Sequence, residues 1–514
     1  MNFRVLITAL ILLVQGSLTG SDILAGPVQE KDLHQLRKSV FKVRVTTQDP
    51  DFRLPWSYLP INRSHGSGFY IGQERILTNA HVLANSRFIS VQRDGDPESI
   101  PAYVEFIAHD ADLALLKVDQ PDAFQGLRPL SFSDSLPVLH SPVATVGFPM
   151  GGEQISVTKG IISRIELRRY VHSSAHSHLM IQVDSAINSG NSGGPVFQGN
   201  KVVGVAFQSF SAAENTGYII PVPVISRFLR DIKDGAYDGH IHAGFRFNTR
   251  VNSNRANILY YGLNPKHPGI KVSWVHEWST FYGQLLPKDT LLTINDHKIG
   301  GDGKVALFGE RISFLHIFDM LLPDDFLRLQ LIRDGKKITT QFKVKKSLPH
   351  PDQGNLYVKK PRWIVHGGLI FTPLSRNLLN SFGHRWYKSS PPLYKYLFYN
   401  GEFDADFKGI KEYIVIAGKL PHPVNRYINL SKSPVVRQVN GIEIESLEQL
   451  STVFYNNQSK HLKIELAGLS EPIVLPQHEL ETAHNEMIKK YHLPSLSWTG
   501  PDEDGALPIK RPHH

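Results

Sequence analysis

The chain has 514 residues, 41% of them hydrophobic and 20% charged, a length and balance that suit about three globular units, each able to bury a core. Lys and Arg exceed Asp and Glu by 56 − 47 = 9, but the basic pairs, such as Arg168-Arg169 and Lys345-Lys346, are scattered, so no nucleic-acid face is expected. With no cysteine, disulfide staples, thiol catalysis and zinc thiolate sites are excluded, and stability has to come from packing.

Residues 1–25 read as a secretory signal peptide: an early Arg4, an apolar run over 5–14, then small polar residues. That run is far shorter than the roughly 20 residues a membrane-crossing helix needs, so export is expected and a stable membrane span is not. Residues 40–229 then run in short segments rich in Val, Ile, Phe and Tyr, punctuated by Gly, Pro, Asn and Asp, which predicts an all-β barrel or sandwich. Apolar residues at helical spacing over 224–232 predict a short helix that closes this first domain, placed at 36–235.

Within it, three segments carry chemistry. In Ile76-Leu77-Thr78-Asn79-Ala80-His81-Val82 an apolar strand ends in a small-residue turn that presents a histidine, the candidate general base. In His109-Asp110-Ala111-Asp112-Leu113 an acid stands directly before an apolar strand, and Asp112 is the candidate for orienting that imidazole, with Asp110 as its rival. In Asn188-Ser189-Gly190-Asn191-Ser192-Gly193-Gly194-Pro195 a serine sits in a glycine-rich turn. A serine hydroxyl is a weak nucleophile that needs a base and fixed oxyanion donors, and the Gly190 and Ser192 amides are the candidate donors. The order His81, Asp112, Ser192 is that of chymotrypsin rather than of subtilisin or the α/β-hydrolases. His172, His176 and His178 cluster between Arg168 and Leu179, but without a fixed scaffold no metal is assigned, and no cofactor is needed.

A second unit over 241–347 predicts strands at 269–275, 290–294 and 327–333 with a helix over 312–322. Prolines and a lack of apolar periodicity mark a linker over 348–362. The third unit, 363–480, repeats features of the second: 434–444 matches 289–299, and 447–454 supplies a helix. Residues 481–514 read as a C-terminal tail, short helical pattern first.

The segments TNAHV, DADLALLKV and NSGNSGGPVF resemble those of the DegP/HtrA serine proteases, and GSGFYI, GFPMGG and GIISRIELRRYVH extend the resemblance through most of residues 38–230. GVAFQ, NTGYIIP and GERISF look closest to the plant-type Deg branch. The resemblance implies a chymotrypsin-like double β-barrel protease domain followed by two PDZ-like α/β domains, acting as an ATP-independent serine endopeptidase on unfolded or damaged proteins of the envelope. It further implies a specificity pocket around Ile187, Asn188, Phe207 and Gln208, a homo-oligomer of three or more copies, and periplasmic residence, with secretion as the alternative. The second unit resembles a PDZ domain at 269–296, departing at Lys288 and Asp296 where glycine is usual. Gly244, Phe245, Arg246 and Phe247 are then its candidate peptide-binding loop, a PDZ domain taking an extended peptide as an added strand. In the third unit Gly367-Gly368-Leu369-Ile370-Phe371 resembles such a loop. The competing reading is a non-proteolytic PDZ-based chaperone or scaffold.

Overall fold

The computed structural model describes residues 30–500, apart from 151, 153, 186, 210–215, 347–353, 358, 384 and 431–433. The expected signal peptide and the last residues of the tail lie outside the described residues.

The first domain is two closed barrels of six antiparallel strands. Strands β1 (Val40–Thr47), β2 (Asn62–Gly72), β3 (Arg75–Thr78), β4 (Ser86–Arg93), β5 (Ile100–Ala108) and β6 (Leu113–Val118) close in the order β1-β2-β3-β6-β5-β4. Strands β7 (Pro142–Gly147), β8 (Ser156–Arg169), β9 (Ser177–Val183), β10 (Pro195–Gln198), β11 (Lys201–Ser209) and β12 (Gly217–Pro221) close as β10-β11-β12-β9-β8-β7. The period-two alternation of these strands sorts their side chains between two cores. In β6, Ala114, Leu116 and Val118 fill the first barrel, whereas Leu113 and Leu115 join the layer between the barrels. In β12, Ile219 fills the second barrel, while Tyr218 and Ile220 enter that same shared layer. Asp112, next to Leu113, is thereby delivered to the seam.

The helix Val222–Asp231 follows, with Pro223 in its first turn and Val224, Ile225 and Phe228 buried against the seam. Its buried Arg227 pairs with Asp231 at 2.5 Å and donates to the Leu321 carbonyl at 3.1 Å, tying the protease domain to the middle unit.

The middle unit is an antiparallel sheet in the order Phe245–Asn248, Ile270–Val275, Thr290–Ile294, Phe326–Arg333, Lys336–Lys343, over a core of Phe245, Phe281, Phe314 and Phe318. The helix expected over 312–322 is only one turn, His316–Asp319. Glu310–Ser313 instead pairs with Lys304–Leu307 as a hairpin around Phe308 and Gly309, both at positive φ, because Ile312 is drawn into the protease seam. At Lys288 and Asp296, where the sequence departs from glycine, the backbone is still left-handed, φ 78° and 66°.

The C-terminal unit holds two four-stranded sheets, Ile414–Lys419/Leu369–Pro373/Trp363–His366/Ser497–Trp498 and Ile442–Glu443/Val436–Val439/His461–Leu466/Ile473–Pro476. The tail boundary at 481 therefore moves: the helix Gln477–Tyr491 buries Leu480, Ala483 and Met487, and Trp498 pairs with Trp363. The segment resembling a second binding loop is a tight hairpin turn, Gly367 and Gly368 at φ 57° and 78°, whose amide and carbonyl are taken by His484 and Asn425.

Beside that turn, His366 stacks on Phe454 with ring centroids 4.2 Å apart, and burial together with the neighbouring His484 lowers its pKa to about 3. A folded pKa below the unfolded 6.5 leaves the unfolded chain with the extra proton, so this stability is full above pH 6.5 and is lost as pH falls towards 3. At about 1.4 kcal/mol per pH unit, His366 alone costs this unit roughly 3 kcal/mol at pH 4. Urea unfolding at pH 7 and pH 4 should show that loss, and His366→Phe, which keeps the ring stack, should remove it.

Candidate active site

β3 ends at Thr78, and the one-turn helix Ala80–Leu83 that follows presents His81 at the seam. Its Nδ1 lies 2.7 Å from Asp112 Oδ2, and its main-chain N–H donates to Asp112 Oδ1 at 2.8 Å. Asp112 is 1% exposed, and its own carbonyl accepts from Asn79 Nδ2 at 2.9 Å. Asp112 adopts φ 54°, a conformation an Asp tolerates better than most side chains. Asp110 turns away from this pair: Tyr237 Oη donates to it at 2.7 Å, and His240 meets it through both its main-chain N–H and Nδ1.

Ser192 rides on the turn closed by the Asn191 N–H to Asn188 O bond, 3.0 Å. Gly190 and Gly193 stand at φ 97° and 86°, and a Cβ on Gly193 would come 2.0 Å from Ser67 O, so both positions require glycine. Among the described residues neither the Gly190 nor the Ser192 amide makes a main-chain hydrogen bond, leaving both as donors beside the serine. The Ser192 hydroxyl donates to Phe207 O at 3.3 Å rather than to His81.

Ser67 went unnoticed in the sequence as a positioning residue. Its N–H donates to Ser192 O at 2.7 Å, its hydroxyl donates to Gly190 O at 2.7 Å, and its carbonyl accepts from Thr78. One residue of β2 thus holds the serine turn of the second barrel against the first. The signal was its place between two glycines, in GSGFYI, where the chain has to approach another backbone closely.

Of the expected pocket residues, Phe207 lies at the cleft beside Tyr170, with ring centroids 4.8 Å apart. Ile187 is instead packed into the second-barrel core, and Asn188 is exposed at the turn. The Gln208 side chain lies outside the described residues.

The cleft, about 740 Å³, is lined by His81, His172, Phe207, Tyr357, Arg376 and Trp386 among others, so the C-terminal unit supplies one of its walls. The linker is part of that wall. Tyr357 stacks on His172 at 4.1 Å and donates its hydroxyl to His172 O, while Leu356 and Asn377 exchange two hydrogen bonds. Composition hid this, because within the proline-marked stretch the ordering falls to one tyrosine and the main chain of Leu356, and their partners lie elsewhere in the sequence.

The expected peptide-binding segment forms the edge strand of the middle sheet. Phe245 is buried in its core, Gly244 O accepts from His276 N–H at 2.9 Å, and Arg246 stacks on Phe403 of the C-terminal unit at 4.0 Å.

Residues 66–205 match the trypsin-like peptidase domain family, and 353–497 match a PDZ domain family. The chain is 34% identical over 461 residues to Protease Do-like 4, mitochondrial, of Arabidopsis thaliana, covering 89% of this chain and 84% of that protein. It is 26% identical to a serine protease DegP homolog of Plasmodium falciparum, covering 88% and 66%. Among solved structures, the HtrA-type protease AlgW with tripeptide is 23% identical, covers 62% of this chain and 97% of its own, and has a TM-score of 0.49. With a trypsin-like double barrel followed by a PDZ domain, the chain belongs to the DegP/HtrA family and is a serine endopeptidase.

Proposed function

We propose that Ser192 attacks the peptide carbonyl, that His81 takes and then returns the proton, that Asp112 orients the imidazole, and that the Gly190 and Ser192 amides hold the oxyanion. The observation that carries this is the His81 Nδ1 to Asp112 Oδ2 contact at 2.7 Å on a carboxylate that is 1% exposed. The serine hydroxyl here donates to Phe207 O, and apo geometry of this kind commonly tightens when substrate binds.

The substrates in this reading are unfolded or damaged proteins of the cell envelope, the enzyme residing in the periplasm as a homo-oligomer of three or more copies. An extended chain is what such a cleft admits, and Phe207, a largely buried ring among the cleft's lining residues, favours small or medium apolar side chains. The middle unit acts as a second PDZ-like domain, its edge strand Phe245–Asn248 offering the backbone to which a peptide adds. Regulation runs through Tyr357, since displacing the C-terminal unit would pull this ring from the loop that flanks His81.

The test is to offer the purified mature chain a reduced, alkylated, permanently unfolded protein and the same protein in its native disulfide-bonded form. The unfolded form should be degraded and the native form spared. Equal cleavage of both would remove the substrate assignment, and a monomer by light scattering would remove the assembly.

A further inference from the structure

Where the second barrel meets the middle unit, the chain buries an imidazole-rich junction that the proteolytic triad does not use. His178 comes from β9, His240 from the connection after the helix Val222–Asp231, and Asp319 from the one-turn helix His316–Asp319; they are 2%, 4% and 7% exposed. One ligand-capable atom from each lies within 4.8 Å of the other two. His178 Nδ1 is 3.1 Å from Asp319 Oδ1, and the His178 and His240 rings are 4.2 Å apart. His240 Nε2 is buried with no partner among the described residues.

We propose that His178 Nδ1, His240 Nε2 and the Asp319 carboxylate form a binding site for a divalent first-row transition metal, zinc or a close substitute, that staples the protease domain to the middle unit. Two imidazoles and a carboxylate suit Zn²⁺, Co²⁺ and Ni²⁺ rather than Mg²⁺ or Ca²⁺, leaving a further coordination position for water. Bonds of about 2.0–2.2 Å at tetrahedral angles put ligand atoms about 3.3 Å apart. The His178–Asp319 pair, at 3.1 Å, is near that spacing, so binding needs the carboxylate to turn off the hydrogen-bond axis and His240 to close in.

The surrounding contacts distinguish this cluster from an ordinary buried network. Metal-bound histidines almost always give their other ring N–H to a carboxylate or a main-chain carbonyl. His178 Nε2 faces Asp110 O at 3.0 Å, and His240 Nδ1 faces Asp110 Oδ2 at 3.2 Å, with Asp110 fixed in turn by Tyr237. The second oxygen of Asp319 meets His316 Nδ1 at 3.2 Å. Both ring orientations and the carboxylate are therefore fixed from behind. With both of its nitrogens facing acceptors, His178 carries a proton on Nδ1, and the ion replaces that proton. It also satisfies His240 Nε2, which is otherwise buried with no partner among the described residues.

The histidine cluster of the sequence is thus divided: only His178 belongs to the site, while His172 lies beside His81, and His176 lies against His242.

The test uses the full-length mature chain, stripped with a chelator and titrated with Co²⁺. Expected are uptake of one ion per chain, visible absorption of cobalt in a nitrogen and oxygen field, its loss on adding Zn²⁺, and a higher melting temperature. His240→Gln and Asp319→Asn should each weaken binding by more than about 100-fold, and His316→Gln by roughly 10- to 100-fold. His461→Gln, at an exposed histidine elsewhere, should change nothing. No stoichiometric uptake by the native chain, or wild-type affinity in both ligand variants, overturns the site. Should those variants fail to fold, X-ray absorption of the zinc-loaded native chain decides: two imidazoles with oxygen support it, and any other shell overturns it. None of these readouts requires proteolysis, so the site stands or falls apart from the proposed triad.

Discussion

Ser192→Ala lowers turnover on an unfolded protein by about 10⁶-fold, the size of effect that removal of a triad serine produces in subtilisin. The variant should keep the native fold, because the turn is held by its backbone. Ser192 O accepts from Ser67 N–H, Gly193 N–H donates to Ala206 O at 2.8 Å, and the hydroxyl contributes only the 3.3 Å bond to Phe207 O. The loss is therefore chemical. Substrate binding and the Gly190 and Ser192 amides survive, and together these leave a residual rate of roughly 10³–10⁴ over water. Initial rates with a quenched-fluorescent unfolded substrate, at equal melting temperatures of the two proteins, measure it. A variant within tenfold of wild type would mean that Ser192 is not the nucleophile.

How far the sequence reached depended on whether a signal was local. His81, Asp112 and Ser192 each sit at a junction of strand and turn, His81 after a strand and the other two before one, so strand periodicity and glycine spacing pointed to all three. The choice between Asp112 and Asp110 was not local. Both lie in one turn, and they are separated by what arrives from afar, His81 for one and Tyr237 with His240 for the other. The same holds at 312–322, whose apolar spacing suits a helix until Ile312 is claimed by the protease seam. Tyr357 and His240 lie in connecting segments whose composition carries no periodicity, and their roles exist only because two domains close on them. Ile187 shows a related limit: sequence proximity to the serine turn does not say which way the chain faces, and here the barrel core takes the apolar side chain.

Asp112→Asn should cost roughly 10⁴-fold in turnover while leaving the fold intact, and the asymmetric surroundings of this carboxylate say why. Asparagine has the same shape and is among the side chains that accept the φ of 54° found here. Oδ1 accepts from the His81 main-chain N–H at 2.8 Å, a donor that cannot change role, so an asparagine has to keep its oxygen there. Its NH₂ then faces His81 Nδ1, at the position where Oδ2 now stands 2.7 Å away. A donor at that point forces Nδ1 to be the acceptor and moves the imidazole proton to Nε2, which is then unable to take a proton from Ser192. The change is one of tautomer, not of position. It should lower kcat far more than it changes KM, and Asp112→Glu should not restore the rate, because the longer side chain cannot reach both donors from the same backbone. Kinetics over a range of pH, with the His81 ring protons followed by NMR, would read the tautomer directly. A variant that retains wild-type kcat would place the orienting acid elsewhere, with Asp110 as the remaining candidate.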